Sequence, residues 1–247
     1  MPFTVFIAGD STAAPKGPAE KPMTGWGEYL QDYFTPSVRV DNRAVNGRST
    51  KSFLAEGRLE AIERDFRAGD VLFIQFGHND GKREDPARYA DPDQAYPANL
   101  ARFISAARRL GGTPVLLTSV SRRVFIADGA PDPLAVGAYP AAMKQLAAAK
   151  GTALLDIFAA SQRLYRALGE EGSRHLFMHL PAGAHPNYPD GIRDNTHFSD
   201  TGARHIAWLV AQAIRQSEAL GDLKLHMTGA VNPGFGRPSS LPFNGSS

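Results

Sequence analysis

The sequence predicts one α/β domain built on a parallel sheet with helices on both faces. Three observations carry that reading. The runs Phe3-Thr-Val-Phe-Ile-Ala-Gly9 and Val71-Leu-Phe-Ile-Gln-Phe76 are apolar almost throughout, as strands covered on both faces are. Such runs alternate with segments of helical period along the chain. Each stops at a polar turn containing glycine, Gly9-Asp10-Ser11 and Gly77-His78-Asn79-Asp80, and open parallel sheets place their chemistry at such strand ends.

The first run enters a Pro/Gly-rich loop from Ala13 to Met23, after which Gly25-Trp26-Gly27 opens a predicted helix through Phe34. Val38 to Val45 alternates and reads as the second strand, ending in Asn46-Gly47-Arg48-Ser49-Thr50. A short helix is predicted over Leu59 to Phe66, ahead of the strand that begins at Val71. A charged loop from Gly81 to Asp93 leads to a long amphipathic helix, Gln94 to Leu110. Thr113 to Val120 is the fourth strand and Thr152 to Asp156 a short fifth, with a helix over Tyr139 to Lys150 between them. A further helix runs to about Leu168. The segment from His175 to Asn195 reads as a long loop, and Ser199-Asp200 caps a last helix over Thr201 to Gln216. The domain spans 1–227; the remainder, 228–247, reads as an extended or mobile Gly/Pro/Ser-rich tail.

Composition excludes several function classes. The 247 residues suffice for one substantial core. A net charge of +2 and scattered arginines give no footprint for nucleic acid. With no cysteine there is no disulfide, thiolate nucleophile or cysteine-based zinc site. No apolar run approaches the roughly 18–20 residues of a membrane span. Met1-Pro2-Phe3 enters the first strand without a leader pattern, so a cytoplasmic location is expected. No heptad or isolated apolar face points to a large assembly; a monomer or homodimer is expected.

Four stretches carry the chemistry. A serine hydroxyl is a poor nucleophile near neutral pH and needs an adjacent base. Histidine is the natural base, and His197 has Asp194 three residues before it, placed to hold one ring nitrogen while the other faces the serine. Ester attack builds negative charge on the carbonyl oxygen, which calls for preorganised donors. Gly47 lets a backbone N–H approach closely, Asn79 offers its side-chain amide, and the Ser11 N–H is a third donor. A Gly-x-Ser-x-Gly elbow is absent.

Gly9-Asp10-Ser11, Asn46-Gly47, Gly77-His78-Asn79-Asp80 and Asp194-Asn195-Thr196-His197 resemble, in order, the four blocks of the SGNH (GDSL) hydrolase superfamily. Finer wording is similar to its rhamnogalacturonan acetylesterase branch: Ala8-Gly-Asp-Ser-Thr12, Gly25-Trp-Gly27, Asn42-Arg-Ala-Val-Asn-Gly-Arg-Ser49 and His185-Pro-Asn-Tyr-Pro-Asp-Gly191. The resemblance implies a flavodoxin-like three-layer α/β/α sandwich and a cofactor-free serine esterase. It implies Ser11, Asp194 and His197 as catalytic triad, and Ser11, Gly47 and Asn79 as oxyanion hole. The implied partner is an acetylated pectic oligo- or polysaccharide. Other acyl substrates and a non-catalytic carbohydrate binder are the alternatives.

Plainer roles stand beside these. Ser11 alone would suit a helix N-cap, Gly47 a turn, and Asn79 an Asx-turn. Asp10 reads as a loop-organising acceptor. His175 and His179 sit four apart, but without an acidic ligand they, with His185, read as loop and packing residues rather than a metal site. Trp26, Arg48, His78 and Tyr188 are the substrate-binding expectations, with Trp26 the favoured sugar platform and Tyr139 a weaker one. Arg48, Lys82, Arg83, Arg122, Arg123 and Arg193 fall near the active edge and form an expected positive rim for uronate carboxylates.

Overall fold

The computed structural model describes residues 3–229 and 234. Its centre is a five-stranded parallel sheet: β1 (Phe3–Gly9), β2 (Val38–Asn42), β3 (Val71–Gln75), β4 (Thr113–Leu117) and β5 (Ala153–Leu155), in spatial order β2-β1-β3-β4-β5. That order reverses direction beside β1, the switch point at which ligands bind in doubly wound sheets.

Alternation along the strands builds two core layers. Val5, Ile7, Phe73 and Val115 point to one face, against α5 (Ile157–Ser173) and α6 (Asp200–Gln216). Phe6, Ala8, Leu72, Ile74 and Leu116 point to the other, against α1 (Thr50–Ala55), α2 (Arg58–Asp65), α3 (Ala95–Arg109) and α4 (Tyr139–Lys150). Each fully buried large side chain contributes about 1.5–3 kcal/mol of transfer free energy, so both faces of the sheet are needed for stability. The expected three-layer sandwich is therefore the observed one. A short α7 (Gly221–Lys224) ends the described helices.

Several boundaries differ from those predicted. The helix expected from Gly25 to Phe34 is two 3-10 turns, Trp26–Glu28 and Leu30–Tyr33. Gly25 and Gly27 sit so close to the nucleophile loop that a Cβ would fall 2.0 Å and 2.7 Å from the Ala14 and Ala13 carbonyl oxygens, a contact tighter than a regular helix would present. β2 stops at Asn42, three residues early, although the Arg43 and Val45 N–H groups still donate to the Ile7 and Gly9 carbonyls of β1 at 2.9 Å and 3.0 Å. The α1 helix was not expected; six residues are too few to show a period. The helix read to Leu168 breaks at Gly169 (φ 70°) and resumes to Ser173.

The largest correction concerns His175 to Asn195. It is not one long loop: β6 (Phe177–Leu180) and β7 (Ile192–Phe198) pair antiparallel as a separate two-stranded sheet. Asp194 and His197 therefore lie on a strand. The tail expectation falls mainly on 230–233 and 235–247, outside the described residues.

Candidate active site

Three strand ends deliver the nucleophile side. Gly9 of β1 lies in register with Gln75 of β3, and Ile7 with Asn42 of β2, so the loops that follow emerge side by side. Beneath them is a buried polar network. Asp10 Oδ1 accepts the Thr12 N–H at 2.9 Å, and Asp10 Oδ2 lies 3.1 Å from His78 Nδ1. The Trp26 indole N–H donates to Gln75 Oε1 at 2.9 Å, which also lies 3.1 Å from the Thr12 hydroxyl. Burial pushes the Asp10 carboxyl up, but His78 and Thr12 outweigh it and hold the group below its ordinary value. Asp10 is thus a charged, satisfied loop organiser.

Gly47 sits in the turn Val45–Arg48, closed by the Arg48 N–H on the Val45 carbonyl at 3.3 Å. Its φ of 75° is left-handed, so glycine is required there. Neither the Ser11 nor the Gly47 N–H has an acceptor among the described residues. Asn79 Nδ2 donates to the Arg48 carbonyl at 3.1 Å, tying the third donor to the Gly47 turn. Asp80 reinforces that tie, since its Oδ1 accepts the Thr50 N–H at 3.0 Å. Burial, with Asp10 adding to it, pushes the Asp80 carboxyl up to about 7 against the Thr50 bonds.

Strand β7 delivers the other side. His197 Nε2 lies 2.8 Å from Ser11 Oγ, and His197 Nδ1 lies 2.6 Å from Asp194 Oδ2. The second oxygen of Asp194 accepts the N–H groups of Thr196 at 2.6 Å and His197 at 3.0 Å. Burial raises the Asp194 carboxyl, but His197 and these N–H groups prevail and bring it down to about 2. It is ionised near neutral pH, as an orienting carboxylate must be. A cavity of about 400 Å³ joins Ser11, Gly47, Asn79, Asp194 and His197 in one wall system, with Glu20, Met23, Lys82 and Arg122 around them.

The substrate-binding expectations divide. His78 lines the cavity. Trp26 is fully buried and cannot stack on a sugar; its neighbouring glycines let the ring sink into the core. Arg48 turns away to pair with Glu56 at 3.0 Å. Tyr188 donates to the Glu20 carbonyl at 2.7 Å and so supports a cavity residue from outside the lining. Tyr139, also buried, donates to the Asp80 carbonyl at 2.8 Å. Arg193 faces a different cavity, with Arg174 and His179. Buried Arg123 is an anchor for the hairpin: its N–H and Nη1 reach the Asn195 carbonyl at 2.8 Å and Oδ1 at 3.1 Å.

One residue was missed. Buried Lys16 extends its ammonium to the Ser11 carbonyl and to Asn46 Oδ1, both at 2.5 Å. It thereby holds the nucleophile loop and the Gly47 turn together. Burial brings Lys16 down to about 8, opposed by Glu20, Asp10 and Glu28. A lone lysine in a Pro/Gly-rich loop carries no sequence signal for this.

Comparison with known proteins shows the family and the fold. Residues 7–205 match the model of the GDSL-like lipase/acylhydrolase family. The chain is 45% identical over 215 residues to the rhamnogalacturonan acetylesterase RhgT of Bacillus subtilis, covering 87% of this chain and 90% of that one. It is 37% identical over 217 residues to a probable rhamnogalacturonan acetylesterase, YesY, of the same organism, covering 86% and 92%. Among solved structures, the YxiM protein of Bacillus subtilis superposes with a TM-score of 0.75 at 25% identity, covering 87% of this chain and 57% of that longer one. An acetylxylan esterase, Axe2, of Geobacillus stearothermophilus shares the fold, with a TM-score of 0.59 at 19% identity over 85% of this chain and 91% of that one.

Proposed function

We propose, because the chain belongs to the GDSL-like lipase/acylhydrolase family, that it removes acetyl groups from rhamnogalacturonan or its oligosaccharides through an acetyl-enzyme. Esterase activity follows from the family; the substrate and the residue roles are our reading. The observation that carries it is the unbroken relay Ser11–His197–Asp194, at 2.8 Å and 2.6 Å, opening on the two unengaged N–H groups of Ser11 and Gly47.

Ser11 Oγ attacks the acetyl carbonyl while His197 Nε2 takes its proton. Asp194 holds Nδ1–H, so the ring is fixed with Nε2 toward the serine and its positive charge is stabilised as it forms. The oxyanion meets the N–H groups of Ser11 and Gly47 and the Asn79 amide, which turns from the Arg48 carbonyl toward the new charge. As the tetrahedral intermediate collapses and the acyl C–O bond breaks, His197 gives its proton to the departing sugar oxygen, which leaves as a hydroxyl. Water, activated by the same imidazole, attacks the acetyl-enzyme and releases acetate.

Acetate release from acetylated rhamnogalacturonan oligosaccharides, acetylated xylan and an aryl acetate tests the reading. The pectic substrate is expected to turn over best, and Ser11→Ala to fold normally while losing about 10⁴-fold or more in rate. Turnover of aryl acetate or xylan alone would keep the esterase and discard the pectic substrate. An active Ser11→Ala would discard the triad.

A further inference from the structure

Nine of the nineteen described arginines meet a carboxylate. Arg43, Arg109, Arg174 and Arg204 each meet a carboxylate at 2.6–2.9 Å, and Arg88 meets Asp85 at 2.5 Å. Lys82, Arg83 and Arg122 are among the basic residues that do not, and they gather in one place. None of the three has a carboxylate partner among the described residues. Arg122 reaches only the His78 carbonyl, at 3.4 Å, and Arg83 lies over the Tyr89 ring at 6.0 Å.

These three cations line one cavity of about 510 Å³, where Glu84 is the single carboxylate. The cavity adjoins the catalytic one and shares His78, Lys82 and Arg122 with it, so these side chains stand between the two. The Lys82 N–H donates to the Asn79 carbonyl at 3.2 Å, which fixes this cationic wall one turn from an oxyanion donor. Like charges gathered in a concave wall repel one another and focus a positive potential into the cavity. An anionic ligand relieves that repulsion, and an arginine fork matches a carboxylate in two bonds.

We propose that this second cavity is a subsite for a uronate carboxylate of the saccharide chain that carries the reacting ester. The inference rests on the reading that the catalytic cavity takes an acetylated saccharide. It narrows the six basic residues of the expected rim to Lys82, Arg83 and Arg122. Arg48 is paired, Arg123 is a buried anchor, and Arg193 faces elsewhere. A neutral glycan would leave the three charges uncompensated, so the cavity selects for acidic chains.

Titration calorimetry with a short unacetylated oligogalacturonate and its carboxyl-reduced counterpart tests this without any turnover. Wild type is expected to bind the acidic form about tenfold or more tightly than the reduced form. That preference is expected to fall below about threefold in Lys82→Ala/Arg83→Ala, and equally in Lys82→Gln/Arg83→Gln, which keeps more of the side-chain packing. Equal binding of the two ligands by wild type, or a preference kept by both double variants, would overturn the subsite. Acetate release from the pectic substrate without carboxylate preference removes the subsite and leaves the reaction standing. Carboxylate preference without acetate release does the reverse.

Discussion

Ser11, Gly47 and Asn79 sit at the ends of three adjacent parallel strands, whereas Asp194 and His197 sit on a two-stranded hairpin outside that sheet. The first group inherits its placement from β1 and β3, which are buried almost throughout, and from a buried network around Asp10 and Gln75. The second is half-exposed, on a hairpin attached by the Thr24 N–H on the Phe198 carbonyl at 3.0 Å, by Arg123 on Asn195, by Tyr188 on the Glu20 carbonyl, and by Phe177 and Phe198 in the core. The difference assigns two kinds of precision. The donors proposed for the oxyanion are placed by the core of the protein. The proposed base, His197, is placed by its own neighbour, since Asp194 uses one oxygen on the ring and the other on the backbone that carries the ring.

Changes on the hairpin side should therefore act through the base, and changes on the sheet side through the donors. Asp194→Asn is the most damaging of these. It preserves shape but presents an amide where Nδ1–H needs an acceptor, and kcat is expected to fall about 10³–10⁴-fold with little change in melting temperature. A loss under about tenfold would mean that the hairpin orients His197 without its carboxylate.

Asn79→Ala removes one donor of three, and kcat should drop about 10²–10³-fold with KM nearly constant, because the bond to the developing charge exists only in the transition state. A change confined to KM would make Asn79 a ground-state contact instead.

Lys16→Met cuts the link between the nucleophile loop and the Gly47 turn, and a rate loss of about tenfold is expected from the misplaced donors. The same variant has a pH signature. Lys16 ordinarily titrates at 10.5 and in the folded chain at about 8, so between those values the unfolded chain binds the extra proton. Wild-type stability should accordingly gain from this group as pH rises through that window. Melting curves of Lys16→Met should lack that gain; identical pH slopes for the two proteins would show that the ammonium is not confined as described.

Much of this was legible in the residues, and the failures follow the same division. Strands β1 and β3 announce themselves because parallel strands buried on both faces are continuous apolar runs. The turns after them are bounded by glycines whose geometry is local, so the convergence of Ser11, Gly47 and Asn79 on one cavity is readable. Hairpin β6–β7 was not: β7 contains Asp194, Asn195 and His197, residues with little strand preference, and it is held by pairing with Phe177–Leu180 and by Arg123. Tertiary contacts, absent from any local pattern, made it a strand. Trp26 shows the same limit, since an aromatic beside a nucleophile loop reads alike whether it faces sugar or Gln75. Adjacent Arg122 and Arg123 show it again: one lines the cavity and the other is buried beneath the hairpin.

The most direct measurement is mass spectrometry of the protein quenched during turnover of an acetyl ester at a pH that slows deacylation. One acetyl group on the peptide carrying Ser11, absent from Ser11→Ala, is the expected result. Acetate released with no such adduct, or an adduct on Lys16 instead, would contradict a serine nucleophile held between the sheet edge and the hairpin.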